Sequence, residues 1–188
     1  MTGSIEQLEN DYDIEVKWRA FPLHPDTPEE GLSLEDLFRN KGMQIDVVDV
    51  VAKLQATAAR FGLPMGDRKK TFNSRLAQEL GLWAESLGKG HAFHNEAFAA
   101  YFVRGENLAK RPVLLSMAEA VGLDADAAAK VLDQRSFRDA VDADWTLSRA
   151  KGVTAVPTFF MGLDRLVGAQ SHEILERMVA RYAGSKPA

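Results

Sequence analysis

The spacing of apolar residues changes along the chain and divides it into three stretches. After a short helical segment at 4–10, apolar and charged residues alternate from position 13 to about 21. A period of two predicts a half-buried strand. Its apolar positions are Ile14, Val16 and Trp18. Prolines at 22, 25 and 28 end this strand in a stiff loop.

Between residues 33 and 150 apolar residues recur every three or four positions, which predicts helices throughout. Glycines at positions 62, 88, 105, 122 and 152 punctuate this helical block. Pro112 suits the first turn of one helix, and Asp124 is the predicted N-cap of the next. Phe61 is the last apolar residue of the stripe that begins at Val47.

The pattern changes again at Val153. The β-branched and aromatic run VTAVPTFFM, the predicted turn GLDR and the run LVGA predict an antiparallel hairpin. Ser171 is the predicted cap of a final helix. The order helix, strand, helical block, strand, strand, helix predicts an α/β fold. Residues 1–32 and 151–188 form its main domain, and residues 33–150 form an inserted helical domain.

Composition excludes several classes of protein. The chain has 188 residues, 46% hydrophobic and 27% charged, with a net charge of −4. This balance is typical of a globular domain, and the absence of a basic stripe argues against nucleic-acid partners. No run of apolar residues is long enough to cross a membrane, and the N-terminus lacks the features of a secretory signal. We therefore expect a cytoplasmic protein without a membrane partner.

The sequence contains no cysteine, which excludes disulfides, thiolate ligands and cysteine nucleophiles within these 188 residues. His91 and His94 are three positions apart, but two histidines do not complete a zinc site, so no metal is predicted. His24 and His172 are interpreted as loop and surface residues. The charge run DRKK at 67–70 is interpreted as a solvated loop, with contact to an anionic substrate as the less favoured alternative.

The strongest local signal is the pair Val156–Pro157, since proline inside a sheet is confined to positions such as the first of a strand. The segment GVTAVPTFFMGLDRLVGAQ at 152–170 resembles the cis-proline segment of thioredoxin-fold proteins in the DsbA family. Within that family it resembles the FrnE-like branch of cytoplasmic oxidoreductases. Matching segments at 16–31, 72–108 and 114–124 extend the resemblance over nearly the whole chain.

The resemblance implies a thioredoxin-like fold with a large all-helical insertion. It implies a cis Val156–Pro157 bond and a substrate-binding loop formed by Ala155, Val156 and Pro157, in which the residue before the proline pairs with the peptide through its backbone. The implied partners are protein or peptide thiols and disulfides, and no cofactor is implied. Members of the family carry a CxxC motif after the first strand, where a thiolate attacks the substrate disulfide.

This sequence departs from the family at that motif. The matching register begins at about Thr2, so the first strand and the CxxC are expected upstream of residue 1, and no catalytic residue is identified in the chain. A truncated, inactive member of an oxidoreductase family is the favoured interpretation. A cysteine-free peptide-binding or chaperone-like module is the second. The third is a relative of kappa-type glutathione transferases and hydroxychromene-carboxylate isomerases, which use glutathione and a serine. Ser4 lies too far into its helix to match that serine.

The first strand of a thioredoxin fold is central, between the strands predicted here at 13–21 and 157–162. Its absence leaves both neighbours with unpaired backbone groups, and an unpaired strand is a template for a second chain. We therefore expect self-association into a homo-oligomer through the exposed sheet edge.

Overall fold

The computed structural model describes residues 2–60 and 62–184, so Phe61 lies outside the described residues. The elements follow in chain order: α1 (Thr2–Asp11), β1 (Leu32–Ser33), α2 (Leu34–Asn40), α3 (Val47–Arg60), β2 (Lys70–Thr71), α4 (Arg75–Ser86), α5 (Gly90–Phe98), a π-helix (Ala99–Val103), α6 (Arg111–Ala120), α7 (Ala125–Gln134), α8 (Arg138–Ala150), β3 (Thr158–Met161), β4 (Asp164–Val167) and α9 (His172–Val179).

The chain forms two compact units. The helical unit comprises residues 24–143, and the hairpin unit comprises the residues up to Leu23 together with those from Asp144. The domain boundaries expected from the sequence, residues 1–32 with 151–188 and residues 33–150, remain a prediction. None of the helices in the described ranges is long and apolar enough to cross a membrane.

The helical unit buries a large apolar cluster in which α4, α5, α6 and α7 meet. Its fully buried members include Leu80, Phe93, Leu114, Met117 and the alanines at 84, 100, 118 and 128. A charged residue, Glu79, is buried beside this cluster and accepts hydrogen bonds from Arg75 and Arg135. A smaller cluster of Leu34, Leu37 and Val51 lies under α2 and α3.

The hairpin unit has a smaller core. Ile5 and Leu8 of α1 pack against Leu175 and Val179 of α9. One side of the hairpin covers this cluster, through Phe159, Met161 and Leu166. The Tyr12 hydroxyl, at the end of α1, donates to Glu176 Oε1 at 3.2 Å.

Local signals placed several helix ends correctly. The Asp124 side chain accepts from the Ala127 N–H at 2.7 Å and so caps α7 as predicted. Pro112 lies in the first turn of α6. Gly88 and Gly122 follow α4 and α6 with φ values of 69° and 76°, a conformation that glycine adopts without the steric cost of a Cβ.

The strand predicted at 13–21 is wrong, because none of residues 13–21 lies in a strand. The predicted alternation itself is present: Ile14, Val16 and Trp18 are half-buried against the core of the hairpin unit, while the residues between them are exposed. A strand also requires a hydrogen-bonded neighbour. Instead the Ala20 N–H donates to the Asp144 carboxylate at 2.9 Å.

The helical block and the hairpin turn also differ from expectation. The two-residue strands β1 and β2 pair within the block that was predicted to be wholly helical. The hairpin turn is Gly162–Leu163 rather than GLDR, because Asp164 already pairs with Met161. Gly162 has φ 55°, as the first position of a tight two-residue turn requires.

Candidate functional site

The loop between α8 and β3 begins with a regular helix end. Gly152 has φ 62°, and its N–H donates to the Arg149 carbonyl at 2.9 Å. The Val153 N–H donates to the Ser148 carbonyl at the same distance, which closes the last turn of α8. Arg165 of β4 donates through Nη2 to the Gly152 carbonyl at 3.1 Å. The start of the loop is therefore fixed to both α8 and the hairpin.

The end of the loop is fixed as well. Thr158 Oγ1 donates to the Ala155 carbonyl at 2.6 Å, and the Pro157 carbonyl accepts from the Gly168 N–H at 2.8 Å. The Val156–Pro157 peptide bond is cis, which is the geometry that the resemblance implies. Between these two anchored residues, Val156 is 44% exposed and its backbone has no hydrogen-bond partner among the described residues.

Backbone groups without a partner strand extend from Val156 into β3. Because hydrogen-bonded and non-bonded pairs alternate in an antiparallel ladder, the bond between Gly168 and Pro157 directs residues 157, 159 and 161 toward β4. Val156, Thr158 and Phe160 therefore direct their backbone groups to the opposite side. No third strand adjoins β3 in the described part of the chain. We call the outward N–H and C=O groups of Val156, Thr158 and Phe160 the β3 edge.

The opposite edge of the hairpin is less available. The side chain of Gln170 donates through Nε2 to the Val167 carbonyl at 2.7 Å, so an acceptor of that edge is occupied. Arg165 is exposed on the same strand. Charged side chains on an edge strand discourage pairing with another chain. Of the two edges of the hairpin, the β3 edge is therefore the more available, and it is also the edge at which the resemblance places the first strand of the family.

A second extended segment lies on the same core. Ile14, Val16 and Trp18 contact the apolar cluster that Phe159 and Met161 also cover. Within the described residues, no backbone-to-backbone hydrogen bond engages positions 15–17. The two segments thus share one apolar surface without pairing with each other.

The charge next to the β3 edge is positive. Lys151 Nζ lies 4.8 Å from the centroid of the Phe160 ring, and the Arg165 guanidinium lies 5.8 Å from it. Phe160 is itself 41% exposed. These two cations over an exposed ring favour a ligand that carries an acidic or aromatic group.

The other residues considered in the sequence lie elsewhere. His91 and His94 are in α5 of the helical unit, Ser4 is in α1, and His172 is the first residue of α9. In the described part of the chain, no three histidine, aspartate or glutamate side chains form a group that could hold a metal ion. An unpaired edge on the strand at 157–162 was expected from the sequence, but a sequence pattern does not show that Thr158 and Phe160 are the residues whose backbone is directed outward.

Comparison with known proteins supports a thioredoxin-type fold. Residues 1–180 match the family model described as a DSBA-like thioredoxin domain. The uncharacterised protein YwbO of Bacillus subtilis (strain 168) is 25% identical over 179 residues, which span 95% of this chain and 87% of YwbO.

Solved structures with the same fold include the following two. The probable DsbA oxidoreductase SCO1869 from Streptomyces coelicolor is 24% identical, with a TM-score of 0.78 over 87% of this chain and 73% of that chain. A 2-hydroxychromene-2-carboxylate isomerase is 18% identical, with a TM-score of 0.71 over 96% of this chain and 87% of that chain. Together with the family match, they confirm the predicted α/β, thioredoxin-like fold with a helical insertion.

Proposed function

Because the chain belongs to the DSBA-like thioredoxin domain family, we propose that it binds protein or peptide thiol and disulfide substrates in extended form along the β3 edge. The observation that carries this proposal is the free backbone of Val156, which lies between two anchored residues and continues into the outward groups of Thr158 and Phe160. Ala155, Val156 and Pro157 form the loop that first meets the peptide.

The physical basis is strand addition. An extended peptide on the β3 edge gains main-chain hydrogen bonds, each worth about 0.5–1.5 kcal/mol net, and alternate side chains supply specificity. One side of that added strand faces the apolar surface shared by Val16 and Phe159. Lys151 and Arg165 favour a peptide with an acidic residue near Phe160.

The proposed role of these 188 residues is binding without thiol exchange. Exchange proceeds through a thiolate and a mixed disulfide, and the sequence contains no cysteine. We expect the chain to reduce insulin disulfides in the presence of dithiothreitol at the uncatalysed rate. Faster reduction by a preparation freed of contaminating enzymes would contradict this. A glutathione-dependent isomerase is less favoured, because it rests on fold likeness alone. A cytoplasmic location stays a prediction from the sequence.

A second copy of the chain is an alternative occupant of the β3 edge. The outward N–H and C=O groups of Val156, Thr158 and Phe160 have no partner strand among the described residues. A strand from a second copy can form hydrogen bonds with them, which favours this alternative. Self-association and peptide binding therefore compete for the same backbone atoms. Added peptide is expected to shift any dimer toward the monomer.

The test uses a matched pair of valines. Val156 and Val167 are equally exposed, at 44%, but lie on opposite edges of one hairpin. The probe is a fluorescent ten-residue peptide of alternating valine and threonine whose central cysteine carries a glutathione mixed disulfide. We expect Val156→Asp to weaken its binding at least about tenfold, the equivalent of about 1.4 kcal/mol, and Val167→Asp to weaken it less than about twofold. Equal effects of the two substitutions, or no binding to the unmodified chain, would overturn the proposal.

A further inference from the structure

The charge run at 67–70 contains one residue that is less exposed than its neighbours. Asp67, Lys69 and Lys70 are exposed, as a solvated loop predicts, but Arg68 is half-buried. Its guanidinium lies 4.9 Å from the Tyr101 ring centroid and 5.4 Å from that of Phe102. Arg68 Nη1 also donates to the Tyr101 hydroxyl at 2.7 Å. The expectation of a wholly solvated run is therefore wrong for Arg68.

The two rings are presented by the π-helix Ala99–Val103. Their centroids are 4.8 Å apart at an interplanar angle of 77°, and the Tyr101 hydroxyl donates to Thr71 Oγ1 at 3.1 Å. The Gly66 N–H donates to the Phe102 carbonyl at 2.8 Å, which ties the loop that carries Arg68 to the π-helix. A side chain at Gly66 would collide with the neighbouring Val103 carbonyl. The guanidinium is thus held in one position before any ligand binds.

Two more basic groups lie in the same part of the helical unit. The Leu34 N–H at the start of α2 donates to the carbonyl of Lys69, next to Arg68, at 3.0 Å, and Lys41 directly follows α2. Lys41 Nζ is 3.4 Å from His24 Nδ1. Burial and the positive charges of Lys41 and Arg68 lower the pKa of His24. Within the described residues neither Lys41 nor Arg68 forms an ion pair with a carboxylate, and the buried Nε of Arg68 has no acceptor. Two positive charges and a free donor thus lie here without an ion-pair partner among the described residues.

We infer that His24, Lys41 and Arg68 form a binding site for a small oxyanion, a carboxylate or phosphate group, within the helical unit. Guanidinium groups bind such oxygens with directed, charge-assisted hydrogen bonds, and a ring-stacked guanidinium loses little freedom in doing so. Lys41 is exposed and supplies a flexible second charge. This site is separate from the β3 edge and does not depend on the proposed peptide binding.

Anion binding at this site is linked to protonation of His24. An anion between Arg68 and Lys41 offsets the positive charges that oppose protonation of His24. Binding should therefore raise the pKa of His24, and the affinity should rise as pH falls through that value. The interaction should also weaken with added salt, because Lys41 is in contact with solvent.

The experiment is an NMR titration of the full 188-residue chain with sodium phosphate and, in a second arm, with sodium acetate, both at constant ionic strength. We expect saturable shift changes at His24 and Tyr101, and a rise of about one pH unit in the pKa of His24 at saturation. Comparison of the two arms identifies phosphate or carboxylate as the better ligand. Changes that grow linearly up to about 100 mM, as general ionic effects do, would overturn the proposal.

Variants separate binding from structural effects. Lys41→Ala leaves the ring-stacked Arg68 in place and should weaken anion binding at least about fivefold. Lys53→Ala, at an exposed lysine of α3, is the matched control and should change the affinity less than about twofold. Arg68→Met keeps much of the apolar stem over the rings and should abolish saturable binding. Equal weakening by Lys41→Ala and Lys53→Ala, or unchanged binding in Lys41→Ala, would contradict the site even if Arg68→Met fails to fold.

Discussion

The backbone N–H and C=O groups of the helical unit and of the hairpin unit obtain their hydrogen-bond partners in different ways. In the helices of the helical unit most N–H and C=O groups pair within the same helix, and the sequence supplies local ends such as Asp124 and Gly122. In the hairpin unit the extended segments need partners from elsewhere in the chain. β3 pairs with β4 on one side only. Among the described residues, no backbone-to-backbone hydrogen bond engages positions 15–17.

The features that stabilise the fold and the backbone groups open to a ligand therefore lie mainly in different units. The larger apolar cluster and the buried Glu79 lie in the helical unit, whereas the unpaired backbone lies in the hairpin unit. Binding surfaces are commonly drawn from the less stable parts of a protein. Changes in the helical unit should therefore alter stability most, and changes on the β3 edge should alter association with little effect on stability.

The largest effect is expected at Glu79. Its fully buried carboxylate accepts from Arg75 Nε at 2.7 Å and from Arg135 Nε at 2.8 Å. Glu79→Ala leaves both arginines without this partner and should lower the free energy of unfolding by about 3–5 kcal/mol. Urea unfolding followed by circular dichroism measures the change. The control is Asp142→Ala, at an exposed partner of Arg75, with an expected loss below about 1 kcal/mol.

The same residue gives a pH dependence. Burial raises the pKa of Glu79, but hydrogen bonds from Arg135 and Arg75 outweigh it and lower the pKa below its ordinary value of 4.5. Its contribution is therefore complete above about pH 4.5 and is lost as pH falls through the folded-state pKa. Glu79→Gln should remove that acid-side slope. A slope that survives Glu79→Gln would show that another group produces it.

The next effect concerns His94 in α5. Burial, assisted by the charge of His91, lowers the pKa of His94 from 6.5 to about 4. Because the unfolded chain takes up this proton first, stability should be complete above pH 6.5 and fall as pH drops toward 4. The loss is at most about 3–4 kcal/mol, because a tenfold difference in proton affinity between the folded and unfolded chain is worth about 1.4 kcal/mol. Unfolding free energies at several pH values should show a flatter profile for His94→Gln, while His91→Gln largely keeps the slope.

A smaller effect is expected at Asp144 in the hairpin unit. Its buried carboxylate accepts from the Ala20 N–H at 2.9 Å and from Arg19 Nη1 at 3.0 Å. Asp144→Ala should cost about 1–3 kcal/mol and speed amide exchange at Ala20. Asp144→Asn keeps an acceptor for Ala20 and should cost less than about 1 kcal/mol, because Arg19 is half-exposed. Unchanged exchange at Ala20 in Asp144→Ala would show that this bond does not order the segment.

The sequence predicted local features well and nonlocal ones poorly. The cap at Asp124 and the helix start at Pro112 depend on neighbouring residues, so they were recognised. The alternation at 14–18 correctly predicted which side chains meet the core, but a strand also needs a partner, which the local pattern does not specify. The pairing of β1 with β2 and the stacking of Arg68 on Tyr101 join residues about thirty or more positions apart, so no local pattern indicates them. At the candidate site the resemblance indicated Val156 and Pro157, whereas the extent of the open edge came from the ladder geometry.

The smallest effect on stability is expected for Phe160→Lys on the β3 edge. Phe160 is 41% exposed, but Lys151 and Arg165 lie over its ring, so the free energy of unfolding should fall by about 0.5–1 kcal/mol. A lysine on an open edge opposes pairing with a second chain, so any self-association seen by sedimentation velocity should weaken. The control is Val167→Lys on the opposite edge, which should leave association unchanged. An equal loss of association in both variants would exclude the β3 edge as the interface.

Amide hydrogen exchange at Val156, Thr158 and Phe160, measured by NMR at concentrations where the chain is monomeric, tests the central claim most directly. Without ligand these three outward amides should exchange fast, while Phe159 and Met161, which face β4, should be protected. At saturating glutathione-conjugated peptide, protection of the three outward amides should rise at least about tenfold. Peptide binding that leaves their exchange unchanged, or strong protection of the same amides in the free monomer, would contradict an open β3 edge that binds extended substrates.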